Sequence, residues 1–101
     1  MNWLKIWCLV TRRFYDDPLY KKWRLEVYKR DHYECQWPNC KCKKRLNAHH
    51  IKKWADYPGL RFLVDNGITL CYQHHKMVSN LEEIYEAVFS KIVASKKHGR
   101  L

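Results

Sequence analysis

Two pairs of residues constrain this chain more than anything else in it: Cys35 and Cys40, with four residues between them, and Cys71 and His74, with two. Spacings of this size let both side chains of a short loop reach one cation, and two such pairs complete a tetrahedral cage. Thiolate and imidazole suit Zn²⁺, whose filled d shell accepts a closed cage without redox chemistry. Cys42 competes for a place. One intervening residue leaves it cramped as a partner for Cys40, whereas pairing with Cys35 stays open; the assigned set is Cys35, Cys40, Cys71 and His74. Buried apolar thiols or a disulfide framework are the other uses of such cysteines. No secretory signal is visible, and paired pairs within one short segment fit a metal better than a core.

At 101 residues the chain has room for one domain, 1–101, with one modest core, the size at which a structural metal helps most. Twenty Lys and Arg against ten Asp and Glu give a net charge of +10. The charge is spread along the chain, so a polyanion, with nucleic acid foremost, is the expected partner. The clusters at Lys21-Lys22, Lys41 to Arg45, Lys52-Lys53 and Lys96-Lys97 interleave with Trp and Tyr, which favours phosphate-tracking grooves over a lipid patch. Residues 1–12 are apolar but too short to span a membrane, and they lack a basic leader region and a small-residue cleavage site. A cytoplasmic protein with no membrane association is expected.

The segment from residue 35 to 79 holds four of the five cysteines and four of the six histidines, which leaves a second site to explain. If residues 71–78 form a helix, Cys71 and His74 share a face while His75 is turned by about 100° and looks elsewhere. One helix then feeds two sites. His49 and His50 lie in RLNAHHI, long enough only for a strand, where neighbours point to opposite faces. Both can join one site only where the strand twists or ends.

AHHI, the later NG-ITLC and C-x-x-H-H, together with CQWPNC, the YPGLRF loop and the upstream RRFYDDPLYKKWRLEVYKRDHYECQ, resemble small phage-type members of the HNH endonuclease family. The resemblance implies an α+β fold: a ββα-metal core stabilised by a zinc knuckle, over about 31–79, with flanking helices at about 17–30 and 80–96. It also implies roles. His49 and His75 hold a catalytic divalent ion, Mg²⁺ or Mn²⁺ foremost and Ni²⁺, Co²⁺ or Zn²⁺ as others. His50 is the general base for phosphodiester hydrolysis in DNA, leaving 5′-phosphate and 3′-hydroxyl ends, and Asn66 steadies the loop joining the strands. The family setting adds phage packaging proteins as possible partners and the host cytoplasm if the chain is phage-encoded.

The chain departs from the family pattern twice. His74 stands where the last zinc cysteine is expected, and imidazole can replace thiolate there. Some members carry a further metal histidine four residues after the helix histidine; here that position is Ser79, which on a continuous helix shares a face with His75. Coordination there is left to water or to the serine hydroxyl. A zinc-stabilised nucleic-acid-binding module without turnover, or a packaging or homing accessory that needs a partner, are the alternative functions.

The remaining expectations concern scaffold. Trp3, Ile6, Trp7 and Val10 recur at helical spacing with a strand as the alternative, and Cys8 reads as core. Asp17-Pro18 opens a helix to about Arg30 with Leu19, Trp23 and Val27 as its apolar stripe, flanked by Tyr20. Lys21, Lys22, Arg24, Lys29 and Arg30 then offer a basic face to DNA backbone or to solvent. In the connection from Lys52 to Asp65, Trp54, Tyr57, Leu60, Phe62 and Leu63 are expected to fold back on the core, with Arg61 free for a phosphate or an acidic neighbour. Gly67 is expected to permit the turn into ITL. Ser79 or Asn80 should end one helix and cap the next, with Glu82 or Glu83 as capping-box partner. Leu81, Ile84, Tyr85, Val88, Phe89, Ile92 and Val93 form that next helix's stripe. The tail after it is expected to fray, with His98 in solvent.

Overall fold

A computed structural model describes residues 17–98, with side chains through Lys96. In chain order the elements are α1 (Pro18–Arg30), β1 (Leu46–His50), short 3₁₀ turns at Pro58–Leu60 and Val64–Asn66, β2 (Gly67–Cys71), α2 (Tyr72–Val78) and α3 (Glu82–His98). Among the described residues this is an α+β fold of three helices and one antiparallel two-stranded ribbon. The expectations for residues 1–12, Cys8 included, and for the His98 side chain lie outside the described residues.

α1 begins where its sequence says it should. Asp17 Oδ1 accepts the Leu19 amide at 2.8 Å, and Pro18 fills a first-turn position whose missing N–H costs nothing. The buried stripe is Tyr20, Trp23 and Val27, whereas Leu19 is 56% exposed. The stripe is thus rotated by one residue from the expected one, because the ribbon meets the helix on the Tyr20 side. Arg30 also turns away from the expected basic face. Its guanidinium donates to the carbonyls of Val64 and Gly67 at 2.7 and 2.6 Å and pairs with Asp31 at 2.9 Å. The buried Asp31 carboxylate in turn accepts the Thr69 amide at 2.9 Å and faces Lys96 Nζ at 3.5 Å. One ionic cluster therefore ties α1, β2 and α3 together, and every buried charge in it has a partner.

The ribbon pairs His49 with Ile68 and His50 with Gly67. Period-two alternation sends Gly67 and Thr69 towards α1, and Ile68 and Leu70 into a core with Phe89 and Val93 of α3. β2 is buried along its whole length. Gly67 has extended backbone, φ −125°, so a turn is not what requires glycine there. A Cβ at this position would sit 2.6 Å from both Trp23 Cζ2 and Val27 Cγ2. Glycine is needed for the close approach of α1.

Other expectations are corrected in the connecting segments. Tyr57, Phe62 and Leu63 of the long connection are exposed, and only Trp54 among its aromatic side chains packs on the α1 core. Arg61 is engaged locally, its Nε donating to the Trp54 carbonyl at 2.7 Å with the guanidinium over the Trp54 ring. α2 stops at Val78. Ser79 is its C-cap, donating Oγ–H to the His75 carbonyl at 2.9 Å, and Asn80 takes a left-handed conformation at φ 67°. The Glu82 carboxylate lines a cleft instead of bracing a capping box, and α3 runs from Glu82 to His98. Along it Phe89 and Val93 are buried and Tyr85 and Ile92 half-buried, while Ile84 and Val88, and Leu81 just before the helix, are exposed. The helix contributes the 85/89/92/93 side of its apolar band to the core, and the other side stays in solvent.

Candidate functional site

The sulfur and nitrogen atoms of Cys35, Cys40, Cys71 and His74 all lie within 4.8 Å of one another, a group able to hold a metal ion. Local structure assembles them. Trp37 to Cys40 closes as a turn, the Cys40 amide donating to the Trp37 carbonyl at 2.9 Å, with Asn39 at φ 66°. This brings Cys40 back beside Cys35, whose amide donates to the Cys42 carbonyl and closes the loop, while the Gln36 amide donates to the Thr69 carbonyl and ties the segment to β2. Cys71 is both the last residue of β2 and the N-cap of α2, and His74 follows one turn later with Nδ1 3.2 Å from Cys71 Sγ and 3.6 Å from Cys35 Sγ. The Trp37 ring lies parallel to the His74 imidazole at 4.6 Å and fixes its plane. Cys42 is exposed, and its thiol turns to the Lys44 carbonyl.

The two buried thiols of this cluster differ in proton affinity. Burial pushes the Cys35 thiol up to about 12, so without a positive charge it stays protonated. For Cys71 burial also acts upward, but backbone amides of His74 and Gln73 and the neighbouring thiols outweigh it and hold its pKa below the usual thiol value. A bound cation would deprotonate both.

The second constellation is a cleft of about 230 Å³ lined by Tyr20, Ala48, His49, His50, Lys53, Trp54, His75 and Glu82. The adjacent histidines reach it from opposite faces of β1, as the pleat requires. His49 goes to the α3 side, with its ring 5.7 Å from that of His75 and 5.6 Å from Phe89. His50 goes to the α1 side, stacked at 3.9 Å on Trp23 and edge-on to Trp54. Both face one cleft because β1 ends at His50. His74 and His75 divide as the helical rotation demands, one to the cysteine cluster and the other to the cleft.

The imidazoles are set up differently. His50 Nε2 lies 2.9 Å from the Arg61 carbonyl, which can only accept, so Nε2 carries the hydrogen and the neutral ring's lone pair is on Nδ1. His49 is 5% exposed, and its Nε2 has no hydrogen-bond partner among the described residues. Leaving a buried ring nitrogen unsatisfied costs about 1–3 kcal/mol, which marks it as a fit for a metal. Burial, with help from His75 and His50, lowers the His49 pKa to about 4. Burial also lowers His50, against the Arg61 carbonyl, and lowers His75, against the negative charge of Glu82. Neutral imidazoles are the form that binds metals and accepts protons.

Asn66 stands behind the cleft. Its Oδ1 accepts the Lys52 amide at 2.8 Å, and its Nδ2 donates to the carbonyls of Lys52 and Leu60, each at 3.2 Å. The side chain thus clamps the chain leaving β1 to the connection that returns it to β2. Trp23, the Arg61 carbonyl and Glu82 are the components the sequence did not disclose. Each is remote in sequence from the histidine it meets or separated from it by a break in the helix.

Comparison with family models, curated proteins and solved structures returns no match. No helix among the described residues is long and apolar enough to cross a membrane.

Proposed function

We propose that this chain is a metal-dependent DNA endonuclease of the HNH type. The observation that carries the reading is the cleft itself, where His49, with an unpartnered buried nitrogen, lies edge-on to His75 next to a His50 ring whose tautomer is set by a backbone carbonyl. His49 and His75 would hold a divalent cation, Mg²⁺ or Mn²⁺ foremost, which when bound would offset charge on the scissile phosphate and the departing oxygen. His50 would take a proton at Nδ1 from a water as that water's oxygen bonds to phosphorus and the bond to the 3′ oxygen breaks, the departing 3′ oxygen taking a proton from a second water, which gives 5′-phosphate and 3′-hydroxyl ends. Stacking on Trp23 and the Arg61 carbonyl would keep the ring aimed, and Asn66 would hold the strand end that carries it.

The cysteine cluster would hold Zn²⁺, the usual ion for one imidazole and three thiolates. DNA would approach over exposed cations near the cleft and knuckle, among them Lys76 and the run Lys41 to Arg45, with Lys53 in the cleft wall. Lys52 is a weaker candidate, since it already pairs with Glu86 and covers Tyr57.

Supercoiled plasmid incubated with the protein and Mg²⁺, Mn²⁺ or EDTA tests the proposal. Nicking that depends on metal and is lost in His50→Ala supports it; intact plasmid in every metal removes it. One observation favours a nucleic-acid-binding module without turnover: the Ser79 hydroxyl is committed to the His75 carbonyl and leaves the ion without a ligand from that position. Tight DNA binding with no cleavage would select that second reading.

A further inference from the structure

We infer that Glu82 of α3 is the third protein ligand of the divalent cation held by His49 and His75. The inference rests on the metal-site reading of the cleft and adds the ligand that completes it. Three observations converge. Glu82 lines the same cleft as the two imidazoles, and also an adjoining one with Lys52, Lys53 and Glu86. Its Oε2 is buried and has no hydrogen-bond partner among the described residues, the same condition as the Nε2 of His49. Its negative charge is near enough to act on His75, which places the carboxylate within electrostatic reach of that ring.

An unsatisfied carboxylate oxygen is costly to bury, and the burden is heavier for a charged group than for a neutral one. It is also an obstacle to a polyanion, since a negative charge in the wall of a DNA-facing cleft repels phosphate. A divalent cation removes both penalties. The helix-dipole role open to an acidic residue in the first turn of α3 is already available to its exposed neighbour Glu83, which has no place in the cleft.

The chain route explains why this ligand comes from α3. α2 stops at Val78, Ser79 and Asn80 reverse the chain, and α3 starts at Glu82, which lines the cleft together with His75. The position a longer α2 would have supplied is replaced by the first residue of the following helix. Unlike the cysteine cluster, this set is not already closed to within 4.8 Å between all ligand atoms. The long glutamate side chain provides the reach to close it. Two imidazoles and a carboxylate, with water, suit Mn²⁺ or Mg²⁺ better than three imidazoles would.

The test uses the zinc-loaded full chain with Mn²⁺ alone as probe, titrated by calorimetry and by the loss of free Mn²⁺ signal in electron paramagnetic resonance. Wild type, Glu82→Gln, Glu82→Asp, Glu83→Gln and His49→Ala are compared, with zinc content and circular dichroism as controls on folding. Glu82→Gln should weaken Mn²⁺ binding by about tenfold or more, the scale seen when even outer-shell partners of metal ligands are removed. Glu82→Asp should retain part of the affinity, and Glu83→Gln should bind as wild type. Wild-type affinity in folded Glu82→Gln, with binding lost in His49→Ala, overturns the role of Glu82 and leaves the histidine metal site standing. Absence of Mn²⁺ binding in wild type, or binding indifferent to His49→Ala, overturns the metal-site reading and this inference with it.

Discussion

His49 and His50 are neighbours in the chain with opposite surroundings, and in the proposed function the difference is what would separate a ligand from a base. His49 is enclosed by Phe89 and His75 and keeps an unpartnered Nε2, whereas His50 is stacked on Trp23 and gives its Nε2 hydrogen to Arg61. A general base contributes about 10²–10⁴ in rate, and DNA affinity rests on many phosphate contacts. His50→Ala is therefore expected to cut plasmid nicking by about that factor while leaving DNA affinity and Mn²⁺ binding near wild type. His49→Ala should instead raise the metal concentration needed for half-maximal nicking. Metal titrations of the nicking rate separate the two, and a His50→Ala protein within a few-fold of wild type would take His50 out of the mechanism.

Among the elements, β2 and the α2 terminus make the sharpest statements. Gly67 is the point where α1 comes closest to the ribbon, and a methyl group there would overlap Trp23 and Val27. Gly67→Ala should destabilise the fold by about 1–3 kcal/mol through overpacking, measured as a lower denaturant midpoint with an unchanged slope. Because the displaced Trp23 ring carries His50, nicking should fall further than the unfolded fraction explains. At the other end, Ser79 has extended backbone, φ −57° and ψ 131°, and caps α2 from an exposed position. A side chain there has left the His75 face. Ser79→His should leave the metal ranking of cleavage unchanged, and a shift towards Ni²⁺ or Co²⁺ would mean that α2 extends by another turn on binding the ion.

For the molecule as a whole, the cysteine cluster is the fastener between the loop carrying Cys35 and Cys40 and the β2–α2 junction. Cys35 and Cys71 are themselves members of the core formed with Ile68, Leu70, Val78 and Phe89. If the cluster holds zinc as proposed, removing it would leave buried thiols to repack a small core, and structural zinc supplies about 10–16 kcal/mol of apparent binding free energy in comparable small motifs. A strong chelator is expected to collapse the circular dichroism signal and the α3 helix together with metal loss. Cys71→Ser and Cys35→Ser should behave alike, while Cys42→Ser should keep one zinc per chain, checked by elemental analysis. Zinc retained in Cys35→Ser and lost in Cys42→Ser would reassign the ligand.

Spacing and periodicity in the sequence determined the local features: the Asp17-Pro18 helix start, the short strand at the histidine pair, and the division of His74 and His75 onto different faces of one helix. They also picked out Cys35, Cys40, Cys71 and His74 as a group able to hold a metal ion, since the members of each pair sit close in sequence and local turns bring them together. Tertiary packing decided what depends on how elements meet. It chose Tyr20 over Leu19 for the α1 stripe, drew Arg30 and Asp31 inward, left part of the α3 stripe in solvent and made Gly67 a point of close contact instead of a turn residue. It likewise brought Glu82 to the cleft beside His49 and His75. Hydrophobic period tells which residues can share a face, but the angle at which another element covers that face is a sum over many distant contacts. No local spacing encodes that sum.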